Sequence, residues 1–206
     1  MKVSVSVLKE YDRLINAVKK VNDSSADYIH IDVMDGIFVD NKKFPLEVVK
    51  DVKSISKKPL DVHMMVESEQ LIKDYASTLL PYYITFHVEI LKNSSIIDYI
   101  KNLGVKVGIA INPETDYKKL IPYLNIIDLV LIMSVKPGEG GQEFIQEVLE
   151  KVKEIRKINS DIEISIDGGI NDCTIKLAKE AGCTMAVSGS YVTNSDNYNE
   201  KIKSLK

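Results

Sequence analysis

Two cysteines, Cys173 and Cys183, are all the thiol this 206-residue chain contains. Two are too few for a disulfide framework, and they form no zinc-ribbon pattern. No apolar run approaches the ~20 residues needed to span a bilayer. No segment concentrates Lys and Arg among aromatics, and the net charge is −3, so neither nucleic acid nor an anionic membrane is an expected partner. Linkers rich in Pro, Gly or Ser, low-complexity tracts and charge blocks are missing too. One domain over residues 1–206 is therefore expected. Met1-Lys2 leads straight into Val3-Ser4-Val5-Ser6-Val7 with no signal-peptide pattern, so the expectation is a reduced, cytoplasmic protein.

What is present is a rhythm of about 25 residues: a short β-branched run, a turn, then an amphipathic stretch. The strand-like runs are Val3–Leu8, Tyr28–Val33, Leu60–Met65, Ile84–Val88, Val105–Ile111, Leu129–Val135, Ile162–Ile166 and Met185–Ser188. The clearest helix is expected over Glu143–Ile158, with Ile145, Val148, Leu149, Val152 and Ile155 on one face. Asn112-Pro113 reads as a helix start. Gly182 and Asn102-Leu103-Gly104 read as helix ends. Eight strands alternating with helices predict an α/β fold, a (β/α)8 TIM barrel. An open doubly wound sheet would want a glycine-rich turn after its first strand, and Leu8-Lys9-Glu10 has no glycine.

A barrel should gather its reactive side chains at the C-terminal ends of its strands. The second run ends His30-Ile31-Asp32-Val33-Met34-Asp35-Gly36, and residues two apart share a face. His30 and Asp32 therefore project together. The third run carries His63 in Asp61-Val62-His63-Met64-Met65, and the seventh ends Ile166-Asp167-Gly168-Gly169. Two imidazoles and two carboxylates on one rim suit one divalent metal ion per chain: zinc first, with iron, manganese or cobalt also accommodated. The third histidine, His87, is assigned to a supporting or rim position. After the sixth run, Met133-Ser134-Val135-Lys136-Pro137-Gly138-Glu139-Gly140-Gly141-Gln142 leads toward the amphipathic helix, offering open amides at its start. Gly168-Gly169 and Ser188-Gly189-Ser190 follow the last two runs, where barrel enzymes commonly hold phosphate.

These segments, in this order, resemble the ribulose-phosphate 3-epimerase family from Ser6 to Ser190. The resemblance implies epimerisation of D-ribulose 5-phosphate at C3 through a metal-stabilised cis-enediolate. It implies that His30, Asp32, His63 and Asp167 bind the metal and that Asp32 and Asp167 form the acid/base pair. Ser6, His63, Asp167, Gly138, Gly140, Gly141, Gly168, Gly169, Gly189 and Ser190 match positions that contact the sugar phosphate. A homo-oligomer is implied as well. Met34, Met65 and Met133 would line the reacting centre with apolar surface.

The chain departs from the family pattern at Ile37, Asp40, Lys42-Lys43-Phe44-Pro45, Val7-Leu8-Lys9 and Glu139, all around the mouth. Two other readings therefore stand beside the first: a 3-epimerase of a six-carbon ketose phosphate such as D-allulose 6-phosphate, and a non-catalytic phosphosugar-binding barrel.

Overall fold

The β-branched runs pair side by side in parallel, and the last returns to the first. A computed structural model describes all residues, Met1–Lys206. The barrel strands are β1 (Lys2–Ser6), β2 (Tyr28–Asp35), β4 (Leu60–Met65), β5 (Tyr83–His87), β6 (Lys106–Ile111), β7 (Leu129–Met133), β8 (Glu163–Asp167) and β9 (Met185–Ser188). They follow in chain order around the barrel, and the β1–β2 pairing closes it. The two-residue β3 (Lys42–Lys43) folds back antiparallel on the end of β2. The architecture is a TIM barrel, as the alternation of strand and helix signals predicts.

Both faces of these strands are buried, and the two faces differ in chemistry. Val3, Val5, Ile29, Ile31, Val62, Ile84, Phe86, Ile109, Ile132 and Ile164 belong to the large core shared with the helices. Each such side chain contributes roughly 1.5–3 kcal/mol when fully buried. The alternate residues form a smaller core that includes Tyr28, Tyr83, Leu129, Leu131, Met133, Met185 and Val187. Among them stand Ser4, Ser6, His30, Asp32, Asp61, His63, Thr85, His87 and Ser165, all buried. Polar residues on this inner face are what remain to build a site.

The helices are α1 (Leu14–Asn22), α2 (Leu46–Ile55), α3 (Glu69–Leu79), α4 (Ser95–Asn102), α5 (Leu149–Ile158), α6 (Thr174–Ala181), α7 (Ser190–Thr193) and α8 (Tyr198–Leu205). Gly182 ends α6 in the left-handed region (φ +109°) and Gly104 lies just past α4 (φ +76°), as read from the sequence.

Two expectations are corrected. The helix predicted from Glu143 starts later, as a 3-10 turn at Gln146–Val148 followed by α5. The amide of Ile145 bonds instead to the carbonyl of Ser134 at 2.8 Å, which holds residues 143–145 along the strand end. The glycine loop therefore does not open directly onto a helix N-terminus.

Asn112-Pro113 starts no helix either. The carbonyls of Asn112, Pro113 and Thr115 converge on Lys151 Nζ at 2.9, 2.6 and 2.6 Å, which fixes a turn there. The only helical element between β6 and β7 is 3-10, Tyr117–Tyr123, capped by Asp116 and containing Pro122. Pro122 lacks the amide an α-helix would need. No helix in the molecule is long and apolar enough to cross a membrane.

Candidate active site

Four strands bring five polar side chains to the C-terminal mouth: Ser6 from β1, His30 and Asp32 from β2, His63 from β4 and Asp167 from β8. Asp32 sits opposite His63 in the β2–β4 register, and Asp167 ends β8. One donor atom from each of His30, Asp32, His63 and Asp167 lies within 4.8 Å of the others. The sequence-predicted quartet is thus assembled in space. His30 Nε2 is 3.2 Å from Asp32 Oδ1 and 3.7 Å from Asp167 Oδ2. His63 Nδ1 is 3.5 Å and 3.9 Å from the same two oxygens.

Each imidazole turns one nitrogen to this centre and has the other fixed from behind. His30 Nδ1 is 2.7 Å from Asp61 Oδ2, and that carboxylate also accepts a 2.9 Å bond from Ser4 Oγ. His63 Nε2 is 2.9 Å from His87 Nε2, and His87 Nδ1 is 3.2 Å from Glu89 Oε2. Glu89 in turn accepts the Asn112 amide at 2.9 Å. His87 is fully buried, so its place is the supporting one and not the rim. Asp61, Ser4 and Glu89 were not singled out from the sequence. The inward alternation of Ser4 and of Asp61 with His63 was the available signal; Glu89 follows its strand and offered none.

The electrostatics are those of a site short of positive charge. Burial opposes ionisation of Asp32, but His30 and His63 outweigh it and hold the carboxylate well below its usual range. Asp167 goes the other way: burial and the charge of Asp32 push it up to about 7, against the pull of His30. Burial brings His63 down to about 4, leaving it neutral. His30 is held well above its ordinary value, because Asp32 and Asp61 outweigh the cost of burying its charge. A proton on His30 is thus the one positive charge among three carboxylates.

The donors fit a divalent cation. His63 Nδ1 is buried without any hydrogen-bond partner, although it faces two carboxylate oxygens. A neutral imidazole with a free lone pair beside two carboxylates is a metal-binding arrangement, with the outer nitrogens tied back as such sites require. The oxygen and nitrogen donors admit several divalent metals without selecting one.

A cavity of about 410 Å³ opens above this cluster. Ser6, Asp32, Met34, Met65, Met133 and Asp167 line it, together with Gly138, Gly140, Gly141, Gly168, Gly169, Gly189 and Ser190. His30 and His63 lie beneath its floor, fully buried. Ser6 Oγ donates to Asp32 Oδ2 at 2.7 Å. The amides of Gly140, Gly141, Gly168, Gly169 and Gly189 donate to no protein acceptor. Open amides on consecutive loops are able to receive an anion. Gly169 is required where it stands: its φ is +63°, and a Cβ there would lie 2.7 Å from the backbone nitrogen of Phe144. Asn41 Nδ2, on the segment that returns from β2, holds the carbonyl of Gly138 at 2.9 Å.

A parallel (β/α)8 barrel with a His/Asp cluster and open glycine loops at the C-terminal rim defines a TIM-barrel enzyme. Among solved structures it resembles KGPDC from Streptococcus mutans (TM-score 0.73, 16% identity, 98% of this chain and 94% of that one). It likewise resembles orotidine 5'-phosphate decarboxylase from Pyrococcus horikoshii (TM-score 0.70, 15% identity, 98% and 96%). At such identities the likeness shows the fold alone. The sequence goes further. The model of the Ribulose-phosphate 3 epimerase family matches residues 2–193. The chain is 39% identical to ribulose-phosphate 3-epimerase of Helicobacter pylori, over all of this chain and 97% of that protein. It is 36% identical to the Bacillus subtilis enzyme of that name, over 100% and 98%. The chain belongs to the ribulose-phosphate 3-epimerase family, isomerases that act on carbohydrates.

Proposed function

We propose that the chain interconverts D-ribulose 5-phosphate and D-xylulose 5-phosphate by moving a proton at C3, with Asp32 and Asp167 as the acid/base pair. Family membership supports the reaction class. The observation that carries the residue assignment is the meeting, in one cavity, of two carboxylates with unequal proton affinity. Inverting a carbon beside a ketone requires one group to remove a proton and another to return one on the opposite face. Asp32, ionised and held by Ser6, suits the base in one direction; Asp167, with its raised proton affinity, suits the acid. In the reverse direction the roles exchange.

His30, Asp32, His63 and Asp167 would hold one divalent ion, with zinc the first expectation and iron, manganese or cobalt suited to the same donors. When bound, that ion would supply Lewis acidity at the C2 ketone, the chemistry that a cis-enediolate route needs to offset negative charge on the ketone oxygen. Met34, Met65 and Met133 are almost fully buried around the cavity and keep water from the reacting carbon. Gly138, Gly140, Gly141, Gly168, Gly169, Gly189 and Ser190 receive the phosphate end, and Ser6 completes the substrate contacts from the cavity wall. His63, matched to a substrate-contacting position by the family resemblance, lies fully buried beneath the floor and serves the metal instead. The wider reading is a single-domain, cytoplasmic homo-oligomer.

Comparison of kcat/KM on D-ribulose 5-phosphate and D-allulose 6-phosphate tests the substrate. A preference of about tenfold or more for the pentose phosphate is expected. Equal or better turnover of the six-carbon ketose overturns the assignment, and turnover of neither leaves a phosphosugar-binding barrel.

A further inference from the structure

We propose that Lys9 is a phosphate-binding residue, supplying a positive charge that the amides of the glycine loops cannot; the inference rests on the reading that those loops hold the phosphate. The cavity lining carries four carboxylates, Asp32, Glu139, Glu143 and Asp167, against two ammonium groups, Lys9 and Lys136. Open amides orient an anion but add no net charge. A phosphate monoester carries about −1.5 to −2 near neutral pH. Even with Asp32 and Asp167 offset by a divalent ion, Glu139 and Glu143 leave the lining no surplus positive charge for it, so a cation beside the phosphate favours its entry.

Lys9 lies where that cation is needed. Its side chain crosses the glycine loop: a Cβ built on Gly140 would sit 3.2 Å from Lys9 Cε. A Cβ built on Gly141 would sit 4.0 Å from Lys9 Nζ and 3.7 Å from Ser190 Oγ, so the ammonium and that hydroxyl flank one backbone position. The ammonium makes no ion pair within the protein, whereas its neighbour Glu10 already pairs with Arg13. Lys9 also follows Ser6 by three residues, in the 3-10 turn after β1. The strand that steadies Asp32 through Ser6 thus delivers the cation to the loops after β7 and β9, adjoining the reacting end of the cavity.

Steady-state kinetics of the metal-loaded enzyme with ribulose 5-phosphate, and competition by inorganic phosphate, test the inference in Lys9→Met and Lys9→Arg. For Lys9→Met, KM and the inhibition constant of phosphate should each rise about tenfold, with the loss falling on KM rather than kcat. Its kcat/KM should also depend less on ionic strength. Lys9→Arg keeps the charge and should stay within about threefold of wild type. Unchanged KM and phosphate inhibition in Lys9→Met, with wild type inhibited normally, overturns the role of Lys9 alone. Absence of competition by phosphate in the wild type removes the phosphate reading of the loops, and the inference with it. Lys9 is solvent-exposed, so neither variant threatens the fold.

Discussion

His63 can present a lone pair at Nδ1 only if its proton sits on Nε2. That nitrogen meets His87 Nε2 at 2.9 Å, so His87 must accept there and carry its own proton on Nδ1, toward Glu89. Burial pushes Glu89 up, but its hydrogen bonds with His87, Thr115 and the Asn112 amide hold it at about 2, ionised and purely an acceptor. The chain Glu89–His87–His63 thus fixes one tautomer, in the manner of outer partners of metal-binding histidines. His87→Ala should weaken binding of a divalent ion by about 10–100-fold, read by competition against a chelator. His87→Gln offers a carbonyl oxygen to His63 Nε2 and should recover part of the loss. Wild-type affinity in His87→Ala would remove this role from the relay. Such partners were hard to read beforehand because the contact joins residues 24 positions apart. It depends on how far each strand is displaced against the next, which the alternation of residue types does not reveal.

Elements were legible where periodicity alone decides them and less so where one side chain intervenes. The barrel strands announce themselves by β-branched residues on the outer face. β5 begins one residue earlier than the run suggests, at Tyr83, because the inner face of a barrel strand also accepts a phenol. The late start of α5 could not be seen from its apolar spacing, since Ile145 keeps the helical period while its amide is bonded to Ser134. The turn at Asn112-Pro113 is held by Lys151, a residue 38 positions beyond Pro113. Loop geometry has an energetic signature of its own at Gly169. Gly169→Ala places a side chain at positive φ against the Phe144 backbone. It should cost about 1–3 kcal/mol, measured as a lower urea midpoint with unchanged slope. A midpoint equal to wild type would mean that the loop adapts freely and does not depend on that close approach.

At the scale of the whole molecule, closure of the barrel is what turns isolated side chains into a site. Ser6, Asp32, His63 and Asp167 come from strands spread over more than 160 residues of sequence, yet β9 and β1 complete the ring that sets them together. The sequence order of histidines, carboxylates and glycine loops at strand ends was enough to anticipate which residues meet. It could not give their spacing, nor the placement of Lys9 across the Gly140-Gly141 loop, which follows from the neighbouring positions of the first and last strands. The central claim is that Asp32 and Asp167 exchange a proton at C3 from a shared cavity. NMR of ribulose 5-phosphate turned over in D₂O tests it most directly, with Asp167→Asn alongside. Deuterium should appear at C3 of the xylulose 5-phosphate formed, and Asp167→Asn should lose about 10²–10⁴ in turnover while unfolding at a urea concentration close to wild type. Product that keeps its original C3 proton throughout, or an Asp167→Asn variant with near-native turnover, contradicts the account.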